Sequence, residues 1–259
     1  MKVAILISSC DAYSHCWPPM LHALKLHWPD CPFPVYVVSN TLDMEGARFL
    51  KVGADRGWGP NLTKAMELID HDYVFYLQED YFPDHRIDTA MMMQHLEYCR
   101  TQEVDYLRLS WPFRDRHKLD KIYCDDQQAF RYALCLQTAI WRKSLLQQLS
   151  AKVNTGWEFE RNITRIIARQ GIAVKARVIH SSAFQTAGFP VVEGTAIRKG
   201  LWTVAGARFL AENGFVGLLP LRKVEGPITN LLMRVSNPVL KAPAALILRG
   251  MKVLKLLWL

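Results

Sequence analysis

The sequence has no CxxC pair and no uninterrupted apolar stretch of the ~18 to 20 residues that a membrane-spanning helix needs. Its six cysteines are scattered through apolar surroundings, which predicts reduced cysteines of the cytosol rather than a disulfide framework or a zinc site. The first residues, MKVAILISSCDAY, contain one lysine and a short apolar run, which is typical of a first strand and not of a signal peptide. We therefore expect a cytoplasmic protein.

Acidic residues are scarce in the last third of the chain. Residues 161 to 259 contain three Asp/Glu and 15 Lys/Arg, whereas residues 1 to 160 contain 21 Asp/Glu and 17 Lys/Arg. A basic excess can serve nucleic acid, anionic lipid or a phosphorylated substrate. Because these basic residues are interleaved with Leu, Ile, Val and Trp, and no nucleic-acid-binding motif is recognisable, the sequence favours an anionic membrane surface and argues against nucleic acid.

The final stretch, AALILRGMKVLKLLWL, spaces its basic residues among apolar ones and ends close to a tryptophan, as interfacial helices do. The alternative is a helix that packs on the sheet and leaves its basic residues solvated. We expect a helical, basic and apolar C-terminal extension over residues 206 to 259, which would hold the protein peripherally at the inner face of the cytoplasmic membrane.

The rest of the chain alternates strand and helix patterns. At 259 residues, with 50% hydrophobic and 22% charged residues, the composition is that of an ordinary globular protein. The alternation predicts an α/β fold over residues 1 to 205, a three-layer α/β/α sandwich with a mostly parallel central sheet. The predicted strands are 3–7, 35–38, 74–77, 106–109, 132–137 and 174–179, and the predicted helices are 18–27, 61–69, 88–100, 143–149 and 157–170.

One predicted strand ends in carboxylates. In HDYVFYLQEDYFPD, residues 71 to 84, an apolar run is followed by Gln78, Glu79 and Asp80. Ligands of open α/β sheets bind outside the carboxyl ends of the strands, and two acids there suit a divalent cation or a sugar hydroxyl. The alternative is a solvated turn before Pro83.

Several segments together carry a resemblance. In chain order they are SSCDAY, VVSN, GWGPNLTKAMELI, LQEDYF, YALCLQTAIWRKSLL and GWEFERN. Over residues 1 to 205 the chain resembles bacterial glycosyltransferases of the GT-A fold, which use sugar nucleotides in surface-polysaccharide and lipopolysaccharide assembly. LQEDYF and WEFE are the most specific of these segments.

The resemblance implies a nucleotide-sugar donor site at the ends of the first two strands, formed by Ser9, Asp11, Ser39 and Asn40. The implied donor site also includes Trp58, Asn61, Gln78 and Glu79. A basic loop at Arg198 and Lys199 would close over the diphosphate. Ser, Asn and Asp at strand ends are also ordinary turn and capping residues, and basic loop residues are often only solvated.

The resemblance also raises the question of a metal ion, Mn²⁺ or Mg²⁺. The DxD motif of the family is replaced here by Gln78, Glu79 and Asp80, of which Asp80 matches a motif carboxylate. Neighbouring side chains on a strand point to opposite faces, so Glu79 and Asp80 need not share one ion. His180 is a second candidate ligand, although a lone histidine is more often structural. Metal-dependent and metal-independent binding both stay open.

The WEFE segment lies where inverting members of the family keep their catalytic base. The resemblance implies that Glu160, or else Glu158, deprotonates the acceptor hydroxyl, and that Asp80 belongs to the catalytic set. Trp157 would stack on the acceptor, with Arg114 and Gln137 as further acceptor contacts. The alternative for the glutamates is a helix start that merely favours acids.

The leading hypothesis is a glycosyltransferase that moves a sugar, with inversion, from a nucleotide-diphosphate sugar to a glycan or lipid-linked acceptor. The alternative is a catalytically silent, membrane-associated α/β partner module of a polysaccharide assembly system. A metal-dependent phosphoester hydrolase ranks third, because the sequence has no cluster of several His and Asp ligands.

Overall fold

The computed structural model describes residues 1–110, 118–125 and 134–226. The chain divides into two compact units, Met1–Gly194 and Thr195–Leu259. The expected boundary after residue 205 stays a prediction, and so does the helical extension, most of which lies outside the described residues.

The first unit is built on an eight-stranded sheet. Its strands are β1 Val3–Ser8, β2 Val35–Ser39, β3 Arg48–Lys51, β4 Tyr73–Gln78, β5 Tyr106–Arg108, β6 Tyr123–Asp125, β7 Ala139–Arg142 and β8 Ala176–Ile179. Their order is β3-β2-β1-β4-β7-β5-β8-β6. β7 is antiparallel to β4 and β5, β6 is antiparallel to β8, and the other pairs are parallel.

Helices cover both faces of this sheet. They are α1 Trp17–His27, α2 Trp58–Glu67, α3 Thr89–Thr101, α4 Lys143–Ser150, α5 Gly156–Gln170 and the short α6 Phe184–Ala187. The apolar sides of α2, α4 and α5 share one core with alternate residues of the strands, including Val74 and Tyr76. On the other face, the Trp28 ring after α1 packs edge-on against Phe75 of β4, at 5.6 Å between ring centroids. The predicted three-layer α/β/α architecture with a mostly parallel sheet is therefore confirmed.

The predicted strand at 132–137 is wrong over its described residues. Residues 134–137 are irregular, and the strand β7 begins at Ala139. Cys135 contacts the Tyr106 hydroxyl, and the Leu136 N–H donates to the Glu160 carboxylate at 3.0 Å. Side chains from β5 and α5 thus hold this apolar segment in place of a neighbouring strand. The short strands β3 and β6 were not predicted: β3 has a basic residue at each end, and β6 lies within a largely polar part of the sequence.

In the second unit, two short strands form a hairpin, β9 Ile197–Arg198 and β10 Leu201–Trp202. Its tip, Lys199 and Gly200, has positive φ angles of 51° and 78°, the conformation of a tight hairpin turn. Helix α7, Val204–Glu212, and a 3-10 helix, Val216–Leu221, follow. Among the described residues, no helix is long and apolar enough to span a membrane.

Candidate functional site

The carboxyl ends of β1 and β2 are joined through Asp11 and Asn40. The Asp11 carboxylate accepts hydrogen bonds from the backbone N–H of Asn40 at 2.8 Å and from the Thr41 hydroxyl at 2.7 Å. In return, the Asn40 side-chain oxygen accepts the Asp11 N–H at 3.0 Å. Burial raises the pKa of Asp11, but these hydrogen bonds outweigh it and hold the pKa below its ordinary value. Both predicted donor contacts therefore connect the two strand ends.

The two predicted serines have different surroundings. The Ser9 hydroxyl accepts the indole N–H of Trp17 at 2.8 Å, which fixes the start of α1. Ser39 is buried at the end of β2, and its hydroxyl has no hydrogen-bond partner among the described residues. Since a buried polar group without a partner is costly, Ser39 is the serine whose hydroxyl is left unsatisfied by the described residues.

The start of α2 brings Trp58 and Asn61 to the same edge of the sheet. The indole N–H of Trp58 donates to the Tyr76 hydroxyl at 3.2 Å, and the Asn61 amide donates to the Asp55 carboxylate at 2.8 Å. Gly59 approaches the loop between α4 and α5 so closely that a Cβ atom there would lie 1.9 Å from the Val153 carbonyl oxygen. This glycine lets α2 begin close to α5.

Gln78, Glu79 and Asp80 begin a turn, because the Tyr81 N–H donates back to the Gln78 carbonyl at 3.1 Å. The strand ends at Gln78, so the alternation of faces assumed from the sequence does not apply to Glu79 and Asp80. Asp80 is buried and Glu79 is half-buried. The Gln78 amide lies 3.5 Å from the Leu136 carbonyl.

These strand ends meet at one place. Ser8 of β1 pairs with Gln78 of β4, so both strands end at the same level. Burial raises the pKa of the Cys10 thiol, and the nearby carboxylates of Glu79 and Asp55 raise it further. The loops after β1 and β4 and the loop before α2 therefore lie close together.

Glu160 lies on the first turns of α5 and points at the irregular segment before β7. Its Oε1 accepts the Leu136 N–H at 3.0 Å, and no second donor among the described residues bonds the carboxylate. Burial raises the pKa of Glu160, and the bond from Leu136 lowers it by less. A carboxylate with a raised pKa is a stronger base than an exposed one, as a general base requires, and within the described residues only Oε1 of Glu160 has a donor.

Glu158 is used differently. Its carboxylate accepts the Asn154 N–H at 2.9 Å, and its own N–H donates to the Thr155 hydroxyl at 3.0 Å. This reciprocal arrangement closely resembles a capping box, which stabilises the start of α5. Glu158 and Glu160 thus each accept one backbone N–H from the described residues, and they differ in that burial raises the pKa of Glu160.

Tyr81 is influenced by both predicted carboxylates, Asp80 and Glu160, and it was not among the predicted site residues. It is buried, and burial first and then the Asp80 and Glu160 carboxylates raise its pKa. Both carboxylates therefore act on the same hydroxyl. Arg108 was also missed: it is a buried arginine whose Nη1 lies 3.8 Å from the Cys135 sulfur, next to Leu136. An arginine in the apolar segment YLRLS was the available signal.

The remaining predicted acceptor contacts are spread out. Trp157, in the first turn of α5, is 70% exposed. The Gln137 side chain accepts the Ser110 hydroxyl at 2.7 Å, and Gln137 precedes β7 rather than ending a strand, which corrects the sequence interpretation. Arg114 lies outside the described residues.

Arg198 and Lys199 belong to the second unit. Arg198 forms an ion pair with the buried Glu225 at 3.2 Å, and Lys199 is exposed at the hairpin tip. Their predicted role at the diphosphate stays a prediction.

The proposed metal ligands are not assembled into one group. In the part of the chain that the structure describes, no group of three or more His, Cys, Asp or Glu side chains could hold a metal ion. His180 directly follows β8 and contacts the Ser182 hydroxyl at 2.6 Å. β8 is three strands from β4, which at ~4.8 Å per strand is about 14 Å. These residues do not offer a complete ligand set, so we assign no step to a metal.

A cleft borders the same region on the outer side of α2. Its volume is about 470 Å³, and its lining includes Gly53, Arg56, Asn61, Lys64, Val153 and Asn154. The Lys64 ammonium donates to the Val52 carbonyl at 2.8 Å, so the end of β3 is tied to α2 beside it.

No protein-family model and no curated protein matches the sequence. Among solved structures, S. aureus TarS matches at 14% identity and a TM-score of 0.47, over 70% of this chain and 35% of that one. Residues 1–349 of TarS in complex with UDP-GlcNAc match at 14% identity and a TM-score of 0.46, over 70% of this chain and 56% of that one. CMP:2-keto-3-deoxy-manno-octonic acid synthetase complexed with CTP matches at 13% identity and a TM-score of 0.45, over 69% of this chain and 90% of that one. The chain thus spans about a third of full-length TarS.

Proposed function

We propose that the protein is a glycosyltransferase that moves a sugar from a nucleotide-diphosphate sugar to a glycan or lipid-linked acceptor with inversion. The observation that carries the proposal is the Glu160 carboxylate, which is half-buried, is held by the Leu136 N–H, and has its pKa raised by burial. The candidate base belongs to α5, whereas the polar residues proposed for the donor follow the carboxyl ends of β1, β2 and β4.

Inversion needs a base on the face of the sugar opposite the leaving group. The open oxygen of Glu160 takes the proton of the acceptor hydroxyl while that hydroxyl attacks the anomeric carbon and the bond to the nucleoside diphosphate breaks. A raised pKa makes the carboxylate a stronger base than an exposed glutamate. The exposed Trp157 ring, three residues before Glu160, offers a stacking surface for a sugar acceptor.

The donor belongs at the edge formed by β1, β2 and β4. There the Asp11–Asn40 pair and the Asn61–Asp55 pair fix the loops that surround the strand ends. In this proposal Asp80 accepts hydrogen bonds from the donor sugar. We expect Asp80→Asn to abolish transfer while the protein stays folded.

Adding EDTA tests the metal separately from Asp80. Full activity in the chelator shows a metal-independent site, whereas a loss that Mn²⁺ or Mg²⁺ restores shows that a metal is needed. Wild-type turnover in Asp80→Asn would remove Asp80 from the mechanism.

The acceptor and the place of action follow from the basic C-terminal part. We infer that the basic and apolar sequence up to residue 259 keeps the protein at an anionic membrane surface, beside a lipid-linked acceptor. The inner face of the cytoplasmic membrane is the place this proposal names, since the donor is a cytosolic metabolite class.

A screen of sugar nucleotides for protection against thermal unfolding tests the proposal directly. A ligand at 100 times its dissociation constant should stabilise the protein by ~2.7 kcal/mol. The protecting compound is then offered with candidate acceptors, and transfer is measured. A sugar nucleotide could protect the protein without its sugar being transferred to any acceptor. If Glu160→Gln were protected to the same degree, the result would favour the catalytically silent partner module.

A further inference from the structure

The 3-10 helix Val216–Leu221 has the sequence VGLLPL, and none of its residues is buried. Val216 is 56% exposed and Leu221 is 58% exposed. The segment has no charged or polar side chain, so it presents aliphatic surface in several directions. Contiguous exposed aliphatic surface marks a place where a protein meets a partner or a lipid phase.

Cations lie directly beside this aliphatic segment. The chain continues from Leu221 into Arg222 and Lys223, and the Arg222 guanidinium donates to the Gly200 carbonyl at 3.3 Å. That bond brings the hairpin tip, with the exposed Lys199, next to Arg222. The exposed Val224 follows. We call this set the basic-apolar surface: Lys199, Val216, Leu221, Arg222, Lys223 and Val224.

The neighbouring acid points away from these cations. Glu225 is buried, where it pairs with Arg198 at 3.2 Å and accepts the Val204 N–H at 3.4 Å. Backbone bonds from Trp202 to Lys223 and from Glu225 to Trp202 hold the segment in this orientation. The other described acid of this unit, Glu212, lies in the last turn of α7. The basic-apolar surface therefore keeps its positive charge.

We propose that the basic-apolar surface docks on an anionic lipid bilayer, with Val216, Leu221 and Val224 at the acyl boundary and the cations among the headgroups. Protein interfaces are enriched in aromatic residues and depleted in lysine, whereas this surface has two lysines and no aromatic side chain. It also runs directly into residues 227 to 259, whose Lys and Arg are likewise interspersed with Leu, Ile and Val. The inference rests on the proposed membrane association and adds to it a contact made by described residues.

The test uses the full chain and sedimentation with two kinds of vesicle, phosphatidylcholine alone and equal parts of phosphatidylcholine and phosphatidylglycerol. Each cation near an anionic surface strengthens binding about fivefold, so Lys199→Gln/Lys223→Gln should weaken binding to the anionic vesicles about 25-fold. Leu221→Asp should weaken it as well, because it places a carboxylate at the acyl boundary. Neutral vesicles should bind weakly in every case.

Matched controls come from α1, where Lys25 is exposed and Leu26 is 51% exposed. Leu26→Asp changes the same kind of side chain elsewhere, and Lys25→Gln/Lys121→Gln, in which Lys121 is also exposed, removes the same two charges. Both controls should bind as the wild type does. All variants change exposed side chains, so their unfolding temperatures should match the wild type. Equal losses in the controls, or wild-type binding by the surface variants, overturn the inference.

A tail variant, Lys252→Gln/Lys255→Gln, separates this inference from the proposed function. If only the tail variant loses binding, the tail alone meets the membrane and the basic-apolar surface does not. If Leu221→Asp changes the molecular mass in solution but not vesicle binding, the surface contacts a second copy of the chain, and the inference is again wrong. Neither outcome concerns sugar transfer, which is measured separately with a soluble acceptor.

Discussion

Replacing Glu160 by glutamine should abolish most of the transfer without moving the side chain. The glutamine oxygen can accept the same Leu136 N–H that Glu160 accepts at 3.0 Å, so the substitution removes basicity and keeps the placement. General bases contribute ~10²- to 10⁴-fold to rate. We expect turnover to fall at least ~100-fold, which is about 2.7 kcal/mol of barrier, with donor affinity nearly unchanged.

The pH dependence gives a second readout for the same residue. Burial raises the pKa of Glu160, and transfer needs the ionised form. The acid limb of kcat/KM should therefore lie above the ordinary range of a glutamate, and Glu160→Gln should lack that limb. A limb at the ordinary glutamate pKa would contradict the reasoning.

The same shift affects stability. Because the folded pKa of Glu160 is raised, the folded state binds this proton more tightly than the unfolded chain does. The resulting stability is present below the unfolded pKa and is lost as the pH rises through the folded pKa. Glu160→Gln should thus gain stability relative to the wild type as the pH rises over that interval, measured by denaturant unfolding at several pH values.

Glu158→Gln is the matched control, two residues away on the same helix. Glutamine also serves in capping boxes, so this variant should keep its fold and its turnover. Loss of transfer in Glu158→Gln with full transfer in Glu160→Gln would reverse the assignment. Full activity in both would reduce the segment to a helix start.

Three further predictions concern the framework of the site. Asp11→Asn should destabilise the protein by about 1.5 to 3 kcal/mol at pH 7, measured by urea unfolding, because hydrogen bonds to a charged group are lost. Since the pKa of Asp11 is lowered, the difference in stability between the variant and the wild type should shrink as the pH falls through that pKa. Gly59→Ala should cost at least about 1 to 3 kcal/mol by the same measurement, because its Cβ would meet the Val153 carbonyl at 1.9 Å. Burial lowers the pKa of His95 to about 4, so wild-type stability should fall by about 3 kcal/mol between the ordinary histidine pKa and pH 4. His95→Gln should flatten this dependence of stability on pH, and an unchanged dependence in the variant would contradict the prediction.

Local patterns predicted much of the fold. Helix α5 carries its own boundaries, since the Thr155 hydroxyl caps its first turn and Gly171 ends it with a φ of 61°. The buried strand β4 is an apolar run bounded by polar residues, and the predicted strand 74–77 stops one residue short of it at each end. In such segments the period, the cap and the composition agree, so the sequence alone is enough.

Contacts between distant residues could not be predicted in the same way. The apolar residues 134–137 have the composition of a strand, but the Glu160 carboxylate and the Tyr106 hydroxyl provide their hydrogen bonds from other elements. The reciprocal bonds of Asp11 and Asn40 likewise depend on two loops meeting across the sheet edge. A sequence shows that a side chain can accept a proton or a hydrogen bond, but it does not show whether a neighbour already supplies one.

That distinction decides which acid of this site can act as a base. Asp11 accepts bonds from the Asn40 and Thr41 backbones, and these hold its pKa low, so it is a poor proton acceptor. Glu158 is engaged by the Asn154 N–H at the helix start. Glu160 accepts one bond from the described residues, is half-buried, and has its pKa raised by burial. Since basicity grows with pKa, this raised pKa is the property that supports the proposed role of Glu160 as the group that takes a proton from an acceptor hydroxyl.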